Sequence, residues 1–106
     1  MDANRDADRW GALADGTRLA IVARLADGPQ AVGQLAAGLP VSRSAVSQHL
    51  KILKDAGLVE DVAAGTRRIY RLNPAALAAL RDQLDTYWQR ALAGYVDAAE
   101  APTKEE

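Results

Sequence analysis

Between Ser42 and Lys51 the chain carries short hydroxyls, one side-chain amide and two cations, with no carboxylate before Asp55. Set 100° apart around a helix axis, Ser44, Ser47, Gln48 and Lys51 share one face, and Arg43 lies near its start. Val46, Leu50 and Leu53 fall opposite, in an apolar arc widened by Ala45, Ile52 and Ala56. An ordinary surface helix more often fills its outward face with Glu and Lys pairs. The groups here instead suit a helix laid into a DNA groove. Gln48 can bond adenine through two atoms, Arg43 can do the same with guanine, and serines reach bases or phosphates.

A second set follows Gly65: Thr66, Arg67, Arg68 and Tyr70, with Arg71 beyond. These are candidates for phosphate or minor-groove contact, against the plainer reading of cross-strand or carboxylate pairing. In an ideal strand Arg67, Ile69 and Arg71 point to one side and Arg68, Tyr70 and Leu72 to the other. The two leading arginines therefore need not act alike.

Other chemistry is thin. The absence of cysteine excludes disulfides, thiol catalysis and thiolate metal sites. The single histidine, His49, sits beside Ala45 and Ala56 near the apolar arc and reads as a hydrogen-bonded structural residue rather than a ligand or base. No nucleophile, base and orienting group can be assembled, and there is no phosphate loop, so no enzyme, metal or cofactor is expected. Asp82 and Asp85 share a helix face, but two exposed acids make a weak site.

The net charge of −1 conceals an uneven distribution. Residues 42–72 carry six basic and three acidic side chains, whereas residues 73–106 carry three basic and six acidic ones. Local positive charge attracts phosphate, and acidic flanks keep the remainder off it. No apolar run approaches a membrane span, and MDANRDADRW has no signal-peptide pattern, so a cytoplasmic protein without membrane contact is expected.

The elements that would position these groups follow from local signals. Ser42 caps a helix beginning near Arg43, after Pro40, and Gly57 closes it near Ala56. Before it, a short helix is predicted over residues 9–13, a second from a cap at Asp15 or Thr17 to Ala26, and a third over Val32–Ala37. Gly28-Pro29 separates the second and third. The third and fourth form a helix-turn-helix, about residues 32–56. Residues 58–62 and 67–72 read as two strands joined through Gly65, a wing over about residues 58–72. Asn73-Pro74 opens a long helix over about residues 74–99, with Leu77, Leu80, Leu84, Tyr87 or Trp88, Ala91 and Tyr95 in a stripe. Residues 101–106 are expected as a flexible tail after a single domain of residues 1–100.

This order, four helices, two strands and a helix, is that of a mainly α winged helix-turn-helix. The chain resembles the ArsR/SmtB family of bacterial transcriptional repressors along ALADGTRLAIVARLADGP, VSRSAVSQHLKILKDAGLVED and GTRRIYRLNPAALAAL. RLNPAALAALRDQLDTYW is similar to a metal-site-poor, actinobacterial-type subgroup. The resemblance implies wing contacts at Gly65, Thr66, Arg67 and Arg68. It also implies a dimer through the first and last helices, using Trp10, Leu13, Leu80, Leu84, Tyr87, Trp88 and Ala91. Metal sensors of the family use a cysteine pair before the recognition helix, or His and acidic ligands on the last helix. VGQLAAGL and a histidine-free last helix supply neither.

The expected function is a homodimeric, sequence-specific regulator of transcription. Family resemblance makes it a repressor, with autoregulation as a further implication. It would bind a double-stranded, inverted-repeat operator, with half-sites about one helical turn apart. Its DNA-binding residues would be Ser42, Arg43, Ser44, Ser47, Gln48, Lys51, Thr66, Arg67, Arg68 and Tyr70. The alternative is a winged-helix protein-interaction or architectural module without sequence preference. An unidentified small-molecule effector between the terminal helices is conceivable from their Leu and Trp content, which dimer core explains equally well.

Overall fold

The computed structural model describes residues 2–100, so the tail expected at residues 101–106 lies outside the described residues. Eight elements follow in order: α1 (Asp2–Leu13), α2 (Gly16–Ala26), β1 (Gln30–Ala31), α3 (Val32–Ala37), α4 (Arg43–Asp55), β2 (Val59–Ala64), β3 (Arg67–Leu72) and α5 (Pro74–Glu100). No helix among the described residues is long and apolar enough to cross a membrane.

The caps set the boundaries. Asp15, not Thr17, starts α2 by accepting the Arg18 N–H at 2.9 Å. Ser42 Oγ accepts the Ala45 N–H at 3.0 Å at the head of α4. At its foot the N–H groups of Gly57 and Leu58 reach the carbonyls of Lys54 and Leu53 at 2.9 Å each, a Schellman closure. Gly57 makes it with φ +81°, a left-handed conformation that a side chain disfavours. Asn73 is a double tie: its Oδ1 accepts from Ala75 N–H at 3.0 Å, while its Nδ2 donates to the Gly57 carbonyl at 3.0 Å. The start of α5 is thereby fastened to the corner between α4 and β2.

Three boundaries differ from expectation. The sheet has three antiparallel strands in the order β1-β3-β2, rather than two. Gln30 and Ala31 pair with Tyr70 and Ile69; two residues between Pro29 and α3 are too few to show an alternating pattern. The wing also runs longer on its first strand, to Ala64, leaving Gly65 and Thr66 as a two-residue turn. Gly65 has φ +67°, and glycine in the first turn position suits a type II′ hairpin. Helix α1 begins at Asp2 rather than near residue 9. Its first half has no apolar stripe, so periodicity could not reveal it.

The core lies where α2, α3 and α4 meet the wing and the start of α5. Ile21, Leu35, Val46, Leu50, Leu53 and Leu58 are fully enclosed, and no polar or charged residue is buried among the described residues. Leu80 is also buried, at 7% exposure, so it belongs to the core of the single chain rather than to the partner surface assigned to it. Ala76 and Leu80 bring the first turns of α5 into this core. Ile52, at the edge of the apolar arc, is instead 44% exposed.

Candidate DNA interface

The outward face of α4 is built as its spacing requires. Arg43, Ser44, Ser47, Gln48 and Lys51 are exposed, while Val46, Leu50 and Leu53 hold the opposite face in the core. Burying those three side chains locks the rotation of the helix, at about 1.5–3 kcal/mol each. The polar face is thus presented rigidly. Ser42 is exposed too, but its oxygen is engaged as the cap, so positioning the helix is its first role.

Beside this face the wing tip stands across a groove of about 400 Å³, lined by Ala31, Val32, Gly33, Arg43, Thr66, Arg67, Arg68 and Tyr70. Arg43 from α4 and Thr66, Arg67 and Arg68 from the wing therefore border one concavity. Five guanidinium donors per arginine make such a groove a natural seat for backbone phosphates. Strand β1, absent from the sequence reading, contributes Ala31 to the lining and pairs with β3 beside it.

The candidates are not equivalent. Arg67 is exposed and makes no ion pair among the described residues. Arg68 donates to Asp61 at 2.8 Å, which is the carboxylate pairing set against its DNA role above. Lys51 likewise pairs with Asp55 at 2.8 Å. Tyr70 is half-buried with its ring against the core, so only part of it faces the groove. Arg71, on the other side of β3, lies 3.6 Å from Glu60.

Two residues outside the expected set also stand here. Lys54 lies on the same flank of α4 as Arg43 and Ser47, and binds Asp61 at 2.8 Å. The Lys54 hydrogen bond, followed by the charges of Lys54 and Arg68, holds the Asp61 carboxyl below the usual carboxylate range against the opposing effect of desolvation. The helical spacing of Lys54 was visible in the sequence; its convergence with Asp61 was not.

His49 is part-buried between α4 and the start of α2. Its Nδ1 lies 3.4 Å from Arg18 Nη1 and 3.9 Å from Asp15 Oδ2. Arg18 Nε in turn donates to the Ala12 carbonyl at 2.6 Å, joining α1, α2 and α4. Among the described residues no three His, Cys, Asp or Glu side chains converge as a metal site. Asp82 and Asp85 instead line an open hollow on α5 with Arg81, Leu84 and Trp88.

The surface assigned to a partner divides into two parts. Trp10 and Leu13 are half-buried against the core, and Trp10 Nε1 donates to Gln83 on α5. Further along α5, Leu84, Tyr87, Trp88, Ala91 and Tyr95 of the expected stripe are exposed, and the exposed Leu92 and Val96 add to it. Trp88 is 59% exposed and Tyr95 76%. Such a strip on one projecting helix is unpartnered in the single chain.

Residues 15–61 match the profile described as "Bacterial regulatory protein, arsR family". The chain is 67% identical over 96 residues to the HTH-type transcriptional regulator Rv2034 of Mycobacterium tuberculosis, covering 90% of each. It is 45% identical over 67 residues to the HTH-type transcriptional repressor SmtB of the same species, covering 63% of this chain and half the length of that relative. Among solved structures it is similar to an ArsR-like transcriptional regulator from Rhodococcus sp. RHA1, with a TM-score of 0.76, 35% identity and coverage of 95% and 98% of the two chains. It is also similar to the homodimeric winged helix-turn-helix DNA-binding domain Mb0332 from Mycobacterium bovis, with a TM-score of 0.66, 30% identity and coverage of 95% and 90%.

Proposed function

Given that the chain belongs to the arsR family of bacterial regulatory proteins, we propose that it represses transcription as a homodimer seated on an inverted-repeat operator. That it is a transcriptional regulator with a helix-turn-helix DNA-binding domain, and not an enzyme, follows from the family. Helix α4 enters the major groove, with Gln48, Ser44 and Ser47 toward base edges and Arg43 and Lys51 toward bases or phosphates. The wing lies on the neighbouring backbone through Thr66, Arg67 and Arg68. The observation that carries the reading is the junction of two surfaces: an acid-free polar helix face bordered, through Arg43, by the arginines of the wing.

Two copies joined along α1 and the exposed stripe of α5 would present two such faces about one helical turn apart. The apolar strip from Leu84 to Val96 supports this, as does the homodimeric state of the Mycobacterium bovis relative. Repression rests on likeness to a relative named as a repressor; control of its own gene is a further part of the proposal. An effector that releases the DNA would act between the terminal helices, whose Leu and Trp side chains suit a small apolar molecule. Residues 1–100 form the single DNA-binding unit.

Selection of bound duplexes from random DNA tests the reading. A selected duplex should bind at least about 10³-fold more tightly than an unrelated one at physiological salt. A ratio near one would favour an architectural module without sequence preference.

A further inference from the structure

Asp61 stands on β2 with its side chain only 6% exposed, and its two oxygens serve two different elements. Oδ1 accepts from Lys54 Nζ on the last turn of α4, and Oδ2 from Arg68 Nη1 on β3, each at 2.8 Å. Both cations remain more than half exposed, at 53% and 61%. An ammonium has three donors and a guanidinium five, so one bond to Asp61 leaves most of each cation's hydrogen-bonding capacity unused.

We infer that Asp61 is a positioning residue of the DNA interface, holding one cation of the recognition helix and one of the wing as a single phosphate-binding pair. The inference rests on the DNA-reading role proposed above. Two like charges carried on long, flexible stems would otherwise separate and sample many rotamers. A nearly buried carboxylate between them cancels their repulsion and fixes both before DNA arrives, so that ordering entropy is lost on folding rather than on binding. The same strut sets the attitude of the wing relative to the axis of α4. A phosphate need not displace Asp61, because spare donors are available on both sides of it.

The test compares the unaltered chain with Asp61→Asn, Asp61→Glu, Lys54→Gln, Arg68→Gln and the Lys54→Gln/Arg68→Gln double variant. The probes are a duplex selected from random sequence and an unrelated duplex of equal length, each titrated over a range of salt. Lys54→Gln and Arg68→Gln should each lower the salt slope by about one. Asp61→Asn should weaken binding to the selected duplex by about ten-fold while keeping the slope, since both cations survive. Asp61→Glu should recover part of the loss.

The two cation losses should be non-additive, the double variant binding no more than about two-fold worse than the weaker single one. Strictly additive losses would overturn the proposal, as would an Asp61→Asn chain that binds both duplexes more tightly with unchanged preference. If Asp61→Asn does not fold, the Lys54 and Arg68 cycle decides alone. Failure of the unaltered chain to bind either duplex would instead sink the DNA-reading role itself.

Discussion

Lys51 Nζ lies 2.8 Å from a carboxylate oxygen of Asp55, one turn further along α4, so one of the outward-facing cations is already partnered. The Asp55 hydrogen bond holds the Lys51 ammonium above its ordinary range, and both side chains are exposed. An exposed pair one helical turn apart contributes little to folding. Its consequence is electrostatic: Asp55 is the only acid on α4. Asp55→Asn should raise affinity for unrelated DNA by about two- to five-fold at low salt, with the melting temperature nearly unchanged. An unchanged affinity in a fluorescence titration would place Lys51 and Asp55 away from the DNA.

Gln48 has no such partner and is exposed on the polar face, at its edge nearest Ile52. Gln48→Ala should cost about 1–3 kcal/mol on a selected operator and far less on unrelated DNA, because a bidentate base contact is lost while phosphate contacts remain. Equal losses on both duplexes would assign Gln48 a supporting role instead.

Arg67 and Arg68 differ in restraint, since only Arg68 is held by Asp61. Changing Arg67 to Ala should lower the slope of log affinity against log salt by about 0.9, and changing both arginines should double that loss. An unaltered slope in the double variant would remove the wing from the phosphate interface.

Leu80 and Trp88 occupy the same stripe of α5 but have opposite surroundings, one buried in the core and the other 59% exposed. Leu80→Ala should destabilise the fold by about 2–5 kcal/mol in denaturant titrations. Trp88→Ala should leave the monomer folded and shift sedimentation toward one chain, with DNA binding becoming more dependent on protein concentration. A Trp88→Ala chain that sediments as the unaltered one would exclude this strip from the dimer.

Acid should weaken the fold through Asp15 and Asp61. Asp15 is held below its ordinary value chiefly by the Arg18 N–H that it caps, and Asp61 chiefly by its hydrogen bond with Lys54. Lowered folded values mean that this stability is fully present above the unfolded carboxyl value, about pH 4, and is lost as pH falls through the lowered folded values. Melting temperatures should therefore fall below about pH 4. Asp15→Asn, which retains a capping side chain, should flatten part of that decline. An identical decline in the variant would show that Asp15 does not contribute to it.

Much of this architecture is encoded within a few neighbouring residues. Ser42 and Gly57 bracket the recognition helix, Asn73-Pro74 opens the last one, and the acid-free face of α4 is a matter of 100° steps. Caps and periodicity act locally, so the chain declares them without knowledge of its own folding. β1 was illegible for the same reason: a two-residue strand exists only because β3 is there to pair with it.

The tertiary structure decided which residues of each stripe are enclosed and which cations are engaged. Leu80 and Trp88 are alike in helical spacing, and only the direction of α5 across the core buries one and exposes the other. Lys54, Asp61 and Arg68 come from three elements and meet only when the wing folds against α4. Sequence by itself determined a helix with a face suited to DNA. Folding determined its partner arginines and the carboxylate that restrains one of them, because contact between distant segments depends on how the elements pack and not on the signals that start and stop them.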